Sequence, residues 1–256
     1  VTTALHPEWI VPDWPAPAHV RAVLTTRAGG VSAGPFGAGG DGGMNIGASC
    51  GDAAEAVQAN RQRLGAMLPS PPCWLRQVHG AEVVCVDAAD PSVPADAAIA
   101  MRARRVCVVS VADCLPVLFT DAGGRAVGVA HAGWRGLASG VIQNTAAAMR
   151  RLLDERDAEL LAWLGPAIGP GRFEVGEDVI AAMRVRLPQA QSAFAAVAPG
   201  KYLCDLFQLA RQALAQADVD RVHGGGLCTY DDPARFYSFR RDRVTGRHAA
   251  LIWREA

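Results

Sequence analysis

A chain of 256 residues that is 50% hydrophobic has ample material for a core, as one large domain or two small ones. Its 25 Lys+Arg balance its 25 Asp+Glu. That neutrality argues against a nucleic acid or a membrane surface as partner and for a small molecule. The longest apolar runs fall far short of the roughly 20 residues a membrane helix needs. The start of the chain lacks a basic-then-apolar leader pattern, and seven cysteines without a CxxC pair indicate a reducing setting, so a cytoplasmic location is expected.

Residues 1–20, with Trp9, Trp14 and several prolines, read as an extended arm packed by its aromatics. A strand is predicted over 20–26, then a glycine-rich loop from Ser32 to Gly43. That loop has no P-loop spacing and reads as a surface loop. Asp52 followed by Glu55 predicts a capping box for a helix running to about Leu68, with Val57, Leu64 and Met67 inward. Residues 74–80 read as a strand stopped by Gly80, 82–86 as a second strand, and 90–94 as a turn. Residues 96–99 then lead into the stretch 106–136, which organises the chain.

That stretch holds three short, Val-rich apolar runs, which predict buried strands. They end in Asp113-Cys114, in Asp121-Ala122-Gly123-Gly124, and in His131-Ala132-Gly133-Trp134-Arg135-Gly136. Leu137, Val141, Thr145, Met149 and Leu152 then share one helical face. A strand at 160–164 closes on a rigid turn at 165–170. Helices follow at 178–187 and 205–217, with Glu174 and Asp178 as capping acids and Asp205 as an N-cap. A glycine-rich passage from Val222 reaches Cys228-Thr229-Tyr230. Strands at 236–242 and 249–253, turned by Gly246, predict a C-terminal hairpin. Strands and helices mix without strict alternation, so an α+β class fits better than a doubly wound sheet.

Polar groups stand where the first and third central runs stop, which is where a sheet presents reactive side chains to a cleft. His79, Cys114 and His131 offer two imidazoles and a thiolate, a set that suits zinc with an open fourth position. The same atoms also fit a Cys114 nucleophile with His131 as base and Asp113 or Gln77 as orienter. Arg27, Arg135, Arg240 and Arg241 are candidate forks for phosphate or carboxylate. Arg243 and Arg247 read as solvated surface charges. Asn45 and Gln77 are amides beside turns, and Trp134 is placed to pack or to stack on a base.

Several passages together resemble the YfiH-type laccase-domain family, also described as polyphenol oxidase, peptidoglycan editing factor or purine nucleoside phosphorylase. They are Thr26-Arg27-Ala28-Gly29-Gly30-Val31-Ser32, Asn60-Arg61, Gln77-Val78-His79-Gly80, Ala112-Asp113-Cys114-Leu115-Pro116-Val117-Leu118 and His131–Gly136, with 165–170, 173–176, 228–230, 236–242 and Gly246-Arg247 downstream. The stretch 34–43 departs from the family in being longer and richer in glycine.

The resemblance implies one α+β domain over 1–256, with two mixed sheets layered between helices. It implies a metal site on His79, Cys114 and His131, holding zinc, with copper as the alternative. It implies phosphorolysis of adenosine, inosine and methylthioadenosine, with adenosine deamination alongside. On this reading Asp113, Cys114, His131 and Arg27 are catalytic, and Asn45, Gln77, Arg135 and Arg240 bind substrate. The expected partners are a purine nucleoside and phosphate, with no nucleic acid and no membrane, and the chain is expected as a monomer or weak homo-oligomer. The alternatives are a Cys/His hydrolase that edits a peptidoglycan-precursor amide (UDP-MurNAc-L-Ser) and a copper-dependent polyphenol oxidase. Six histidines, two of them in the arm, are too few for a multicopper centre.

Overall fold

A computed structural model describes residues 5–40, 42–87 and 93–256. In chain order the elements are β1 (Val20–Leu24), α1 (Ala54–Gly65), β2 (Val83–Cys85), β3 (Ala97–Ala100), β4 (Cys107–Val111), β5 (Leu115–Asp121) and β6 (Val127–Ala132). Then come α2 (Trp134–Ser139), α3 (Val141–Leu153), β7 (Leu160–Leu164), β8 (Glu174–Val175), α4 (Glu177–Arg186), β9 (Phe194–Ala198) and β10 (Lys201–Cys204). The chain closes with α5 (Leu206–Gln216), β11 (Arg221–Gly224), α6 (Phe239–Asp242) and β12 (His248–Arg254). Most of the turn expected at 90–94 lies outside the described residues.

A mixed sheet of order β11-β7-β5-β6-β3-β2 and an antiparallel sheet of order β1-β12-β4 form the two main layers. Side chains alternate across each strand and sort the core into three. Val109 and Val111 of β4, Ala250 and Ile252 of β12, and Leu118, Val127 and Val129 of the large sheet fill the space between sheets. The other face of the small sheet, with Val108, Leu251 and Trp253, packs on Leu64 of α1 and on Trp9 of the arm. The other face of the large sheet, with Val117, Phe119 and Ala130, packs on α3, α4 and α5. Helix, sheet, sheet and helix are therefore stacked, as the resemblance implied. One of the two main sheets is wholly antiparallel rather than mixed. Among the described residues no helix is long and apolar enough to cross a membrane.

The three central runs are β4, β5 and β6, and nearly every residue in them is buried. The arm is packed by its aromatics: the Trp9 indole donates to the Ala28 carbonyl at 3.1 Å. Asp205 caps α5 by accepting from the Gln208 N–H.

Elsewhere the fold corrects the sequence reading. Asp52 does not cap α1, because its carboxylate accepts from Ser32 Oγ at 2.6 Å and from Asn45 Nδ2 at 2.9 Å. Glu174 and Asp178 do not cap α4 either; the N-cap is Gly176, with no side-chain bond. The single helix expected after Gly136 is split into α2 and α3 by Gly140, whose φ of +90° ends one and starts the other. Residues 74–80 are not a strand. The Gln77 amide takes the place of strand pairing on β4, donating to the Ser110 carbonyl at 3.0 Å and accepting its N–H at 2.8 Å.

Residues 236–242 are not a strand, because Ser238 caps the short helix α6 by accepting from the Arg241 N–H. The C-terminal hairpin is absent, because β12 inserts between β1 and β4. Its Ala249–Trp253 segment is buried on both faces, which suits a central strand. A third sheet, β8-β10-β9, was not expected; the Pro199-Gly200 turn between β9 and β10 was its one local signal.

The glycine-rich loop is tied down at its described residues. Ser32 and Gly43 exchange backbone hydrogen bonds, and the buried Asn60 amide donates to the Gly43 and Asn45 carbonyls. Gly43 permits this: a Cβ there would lie 1.7 Å from the Phe36 carbonyl oxygen.

Buried beneath the loop, His248 accepts the Tyr237 N–H on Nε2 at 2.8 Å and stacks on the Tyr237 ring. Burial, reinforced by the Arg27 cation, pulls its imidazole down to about 3. An unfolded histidine titrates near 6.5, so the unfolded chain takes up this proton first. Stability is full above about pH 6.5 and is lost as pH falls from there toward 3. Lowering the pH from 7 to 5 should cost the wild type about 2 kcal/mol more, from this group, than a His248→Gln variant. Urea unfolding of both proteins at the two pH values measures the difference.

Candidate active site

The site forms where β6 ends and α2 begins, opposite the turn between β4 and β5. Asp96, just before β3, lies beside His131 in the sheet, and its carbonyl accepts the His131 N–H at 2.7 Å. Its carboxylate is fully buried. Four donors converge on it: the N–H groups of Val78, His79 and Gly80 at 3.0, 2.9 and 2.8 Å, and His131 Nδ1 at 2.8 Å. Three consecutive N–H groups around one anion form a backbone nest, and His79 takes φ +60° within it. Burial alone would raise the Asp96 carboxyl, but these donors outweigh it and lower it. Asp96 thereby fixes the His131 ring and the loop that carries His79.

Cys114 completes the group. The ligand atoms of His79, Cys114 and His131 all lie within 4.8 Å of one another. His79 is exposed, Cys114 half-buried and His131 buried, so the group faces outward on one side. The chain is cut to fit it: a Cβ on Gly133 would stand 2.8 Å from the Cys114 sulfur and 3.5 Å from His79 Cδ2. Burial would push the Cys114 thiol up, but the His131 and His79 imidazoles facing it prevail and bring it down to about 6. Burial pulls His131 down, while the Cys114 sulfur and Asp96 outweigh that and hold it at about 9. Each group thus favours the charged form of the other, thiolate beside protonated imidazole, while no ion is bound between them. Two nitrogens and a thiolate at this separation, with a carboxylate behind one histidine, are the donor set and outer support of a zinc site with room for a further ligand.

A cavity of about 300 Å³ opens over the group, lined by His79, Cys114, Trp134, Arg135, Phe239, Arg240 and Arg243 among others. Of the sequence-predicted residues, it brings together His79, Cys114, Asp113, Arg135 and Arg240, with His131 beneath. Arg27, Asn45 and Gln77 lie outside its lining. Arg27 donates to the Gly37 carbonyl at 2.6 and 3.0 Å and lies over the Tyr237 ring, so it clamps the glycine-rich loop. The Asn45 side-chain Oδ1 accepts the N–H groups of Gly47 and Arg247, and its Nδ2 donates to Asp52. Gln77 is engaged on Ser110.

Asp113 orients neither histidine. With φ +82°, it accepts the Thr229 hydroxyl at 2.6 Å and the Arg240 N–H at 2.7 Å, drawing two distant loops to the cavity wall. The orienting role falls to Asp96, which carries no local motif and so escaped sequence reasoning. Arg241 is bonded to the Thr229, Tyr230 and Phe236 carbonyls and to Asp242. Arg243 is exposed, as read from the sequence, and also lines the cavity; Arg247 lies half-buried against backbone carbonyls and is not a solvated surface charge.

In metal-stripped protein the alkylation rate of Cys114 by iodoacetamide should rise with pH through a midpoint near 6, because only the thiolate attacks. His131→Ala should move that midpoint up by more than His79→Ala does. Cys107, pushed well up by burial, and Cys204, at about 12, should stay unmodified at neutral pH. Peptide mapping by mass spectrometry across a pH series reads all three residues.

The sequence profile described as multi-copper polyphenol oxidoreductase laccase matches residues 21–255. A Pseudomonas aeruginosa protein named purine nucleoside phosphorylase is 49% identical over 248 residues, covering 96% of this chain and 98% of its own. The Escherichia coli protein named purine nucleoside phosphorylase YfiH is 46% identical over 249 residues, covering 95% of this chain and 98% of its own. A crystal structure of a Neisseria meningitidis protein shares the fold with a TM-score of 0.89 at 44% identity, covering 97% of this chain and 100% of that one.

Proposed function

This chain belongs to the multi-copper polyphenol oxidoreductase laccase family, and from that premise we propose that it is a purine nucleoside phosphorylase with zinc held by His79, Cys114 and His131. The relatives' names supply the reaction class. The observation that carries the reading at the site is the His79–Cys114–His131 group opening into a cavity walled by guanidinium groups and aromatic rings. Zinc bound there would supply a Lewis acid able to polarise an oxygen of substrate or water.

The protein's own groups do the rest. In phosphorolysis an oxygen of hydrogen phosphate bonds to C1′ as the C1′–N9 bond breaks. The base leaves with the bonding pair and receives the proton that the phosphate gives up. The Arg135 guanidinium, at the cavity wall, balances the phosphate charge and orients its oxygens, while Arg240 donates to the Glu174 carbonyl at 2.9 Å and borders the substrate over the Phe173 ring. Trp134 and Phe239 offer ring faces to the purine. Asp113 positions Arg240 from behind through its main-chain N–H. Adenosine, inosine and methylthioadenosine are the proposed substrates, and adenosine deamination the proposed second activity.

One observation favours a second reading. A thiol lowered to about 6 beside His131 is an armed nucleophile. It would make the protein a cysteine hydrolase that cuts a precursor amide. Copper phenol oxidation ranks last, because among the described residues His79, Cys114 and His131 are the single group of three side chains placed to share an ion.

Metal analysis should find about one zinc per chain, lost in Cys114→Ala. Incubation with adenosine and phosphate should yield adenine and ribose 1-phosphate, and omission of phosphate should stop that product. Chelation should abolish activity and expose Cys114 to iodoacetamide, and added zinc should restore activity. A metal-free enzyme that keeps full activity, and dies at once on alkylation, would establish the hydrolase instead.

A further inference from the structure

Arg243 stands in a backbone conformation that arginine rarely adopts. Its φ is +61° and ψ −58°, and the Val244 N–H bonds across it to the Asp242 carbonyl at 2.7 Å. That is a γ-turn of the rare, strained, positive-φ kind, at a position where glycine would sit without cost. Nothing in the core demands the side chain, because Arg243 is exposed. Strain held at the rim of a cavity is where a functional constraint is expected.

The electrostatics give the constraint a direction. Arg243 lines the same cavity as His79 and Cys114, with its guanidinium over the exposed Phe239 ring at 5.9 Å. Arg135 also lines it, over the Trp134 ring at 4.3 Å. Among the described residues neither guanidinium makes a hydrogen bond or ion pair. The acid next in the chain, Asp242, gives both its oxygens to Arg241. The one carboxylate on the cavity wall, Asp113, is already bonded through both oxygens. Two planar forks, each held over a ring and each with its N–H groups unspent, border a cavity of about 300 Å³. A tetrahedral dianion accepts such forks side by side.

We infer that Arg243, together with Arg135, forms the binding site for orthophosphate, and that the strained turn exists to hold Arg243 at the cavity. This rests on the phosphorolysis reading above, which names orthophosphate as co-substrate. The shared chemistry, a phosphate dianion, also belongs to the ester group of a nucleotide, so the test separates the two.

Equilibrium dialysis of radiolabelled orthophosphate against the full chain, carrying the metal it is isolated with, measures the site without turnover. Arg243→Gly should weaken orthophosphate binding by roughly tenfold to a hundredfold, the loss of one charge-assisted fork. It should raise the phosphate KM by a similar factor with little change in the nucleoside KM. The same variant should melt about 2 °C or more above wild type, because glycine accepts the turn. Arg135→Ala should weaken binding comparably without that gain in Tm. Unchanged orthophosphate affinity in Arg243→Gly overturns the inference. So does a variant that loses adenosine 5′-monophosphate but keeps orthophosphate. Binding that depends on Arg243, in a wild type that makes no ribose 1-phosphate, upholds the anion site and removes phosphorolysis instead.

Discussion

The Asp96 carboxylate is shut off from solvent, and it holds four donors from two separate parts of the chain. A buried anion is tolerated only when its oxygens are fully engaged, and removing one partner of such a pair typically costs 3–5 kcal/mol. The 78–80 loop and the His131 ring are therefore not independent choices. Each satisfies the charge that makes the other's position necessary. Without Asp96, His79 would have no reason to adopt φ +60°, and the imidazoles, now with ring centroids 4.8 Å apart, would not converge on the Cys114 sulfur.

Other polar side chains around the site follow the same logic at lower stakes. Asn45, Asn60, Gln77, Asp52 and Asp113 each tie an irregular segment to its neighbours by bonding backbone groups. Such segments cannot bring buried N–H and C=O groups into a sheet ladder, so amides and carboxylates stand in for missing strands. Arg27 and Arg241 do this from the donor side, with guanidiniums directed at carbonyl oxygens. Among the described residues, Arg135 and Arg243 line the cavity without such a bond.

The family's descriptive name and the donor set point in different directions. A multicopper centre needs many histidines brought together. Here His19 bonds the Gly124 carbonyl and His248 is buried beneath Tyr237, while His79 and His131 alone meet at the cavity. One thiolate and two imidazoles suit a single zinc with an open side.

The sequence alone determined the three central strands and the α+β class, and it pointed to His79, Cys114 and His131, whose ligand atoms the fold brings within 4.8 Å of one another. The reason is local: Val-rich runs bury as strands, and reactive groups collect where such runs stop. Asp205 was legible as a cap for the same reason, since its partner is three residues away. Tertiary structure alone decided what depended on distant partners. β12 reads as half a hairpin until its two apolar faces find β1 and β4. Gln77 reads as a strand residue until its amide meets Ser110, and Asp52 as a cap until Ser32 and Asn45 claim its carboxylate. Arg27 reads as a free fork until the Gly37 carbonyl takes its guanidinium, because acceptors brought in by folding leave no periodic mark in the chain. Asp96 is the clearest case: it is silent as a residue before a strand and decisive once folding surrounds its charge with donors and excludes water.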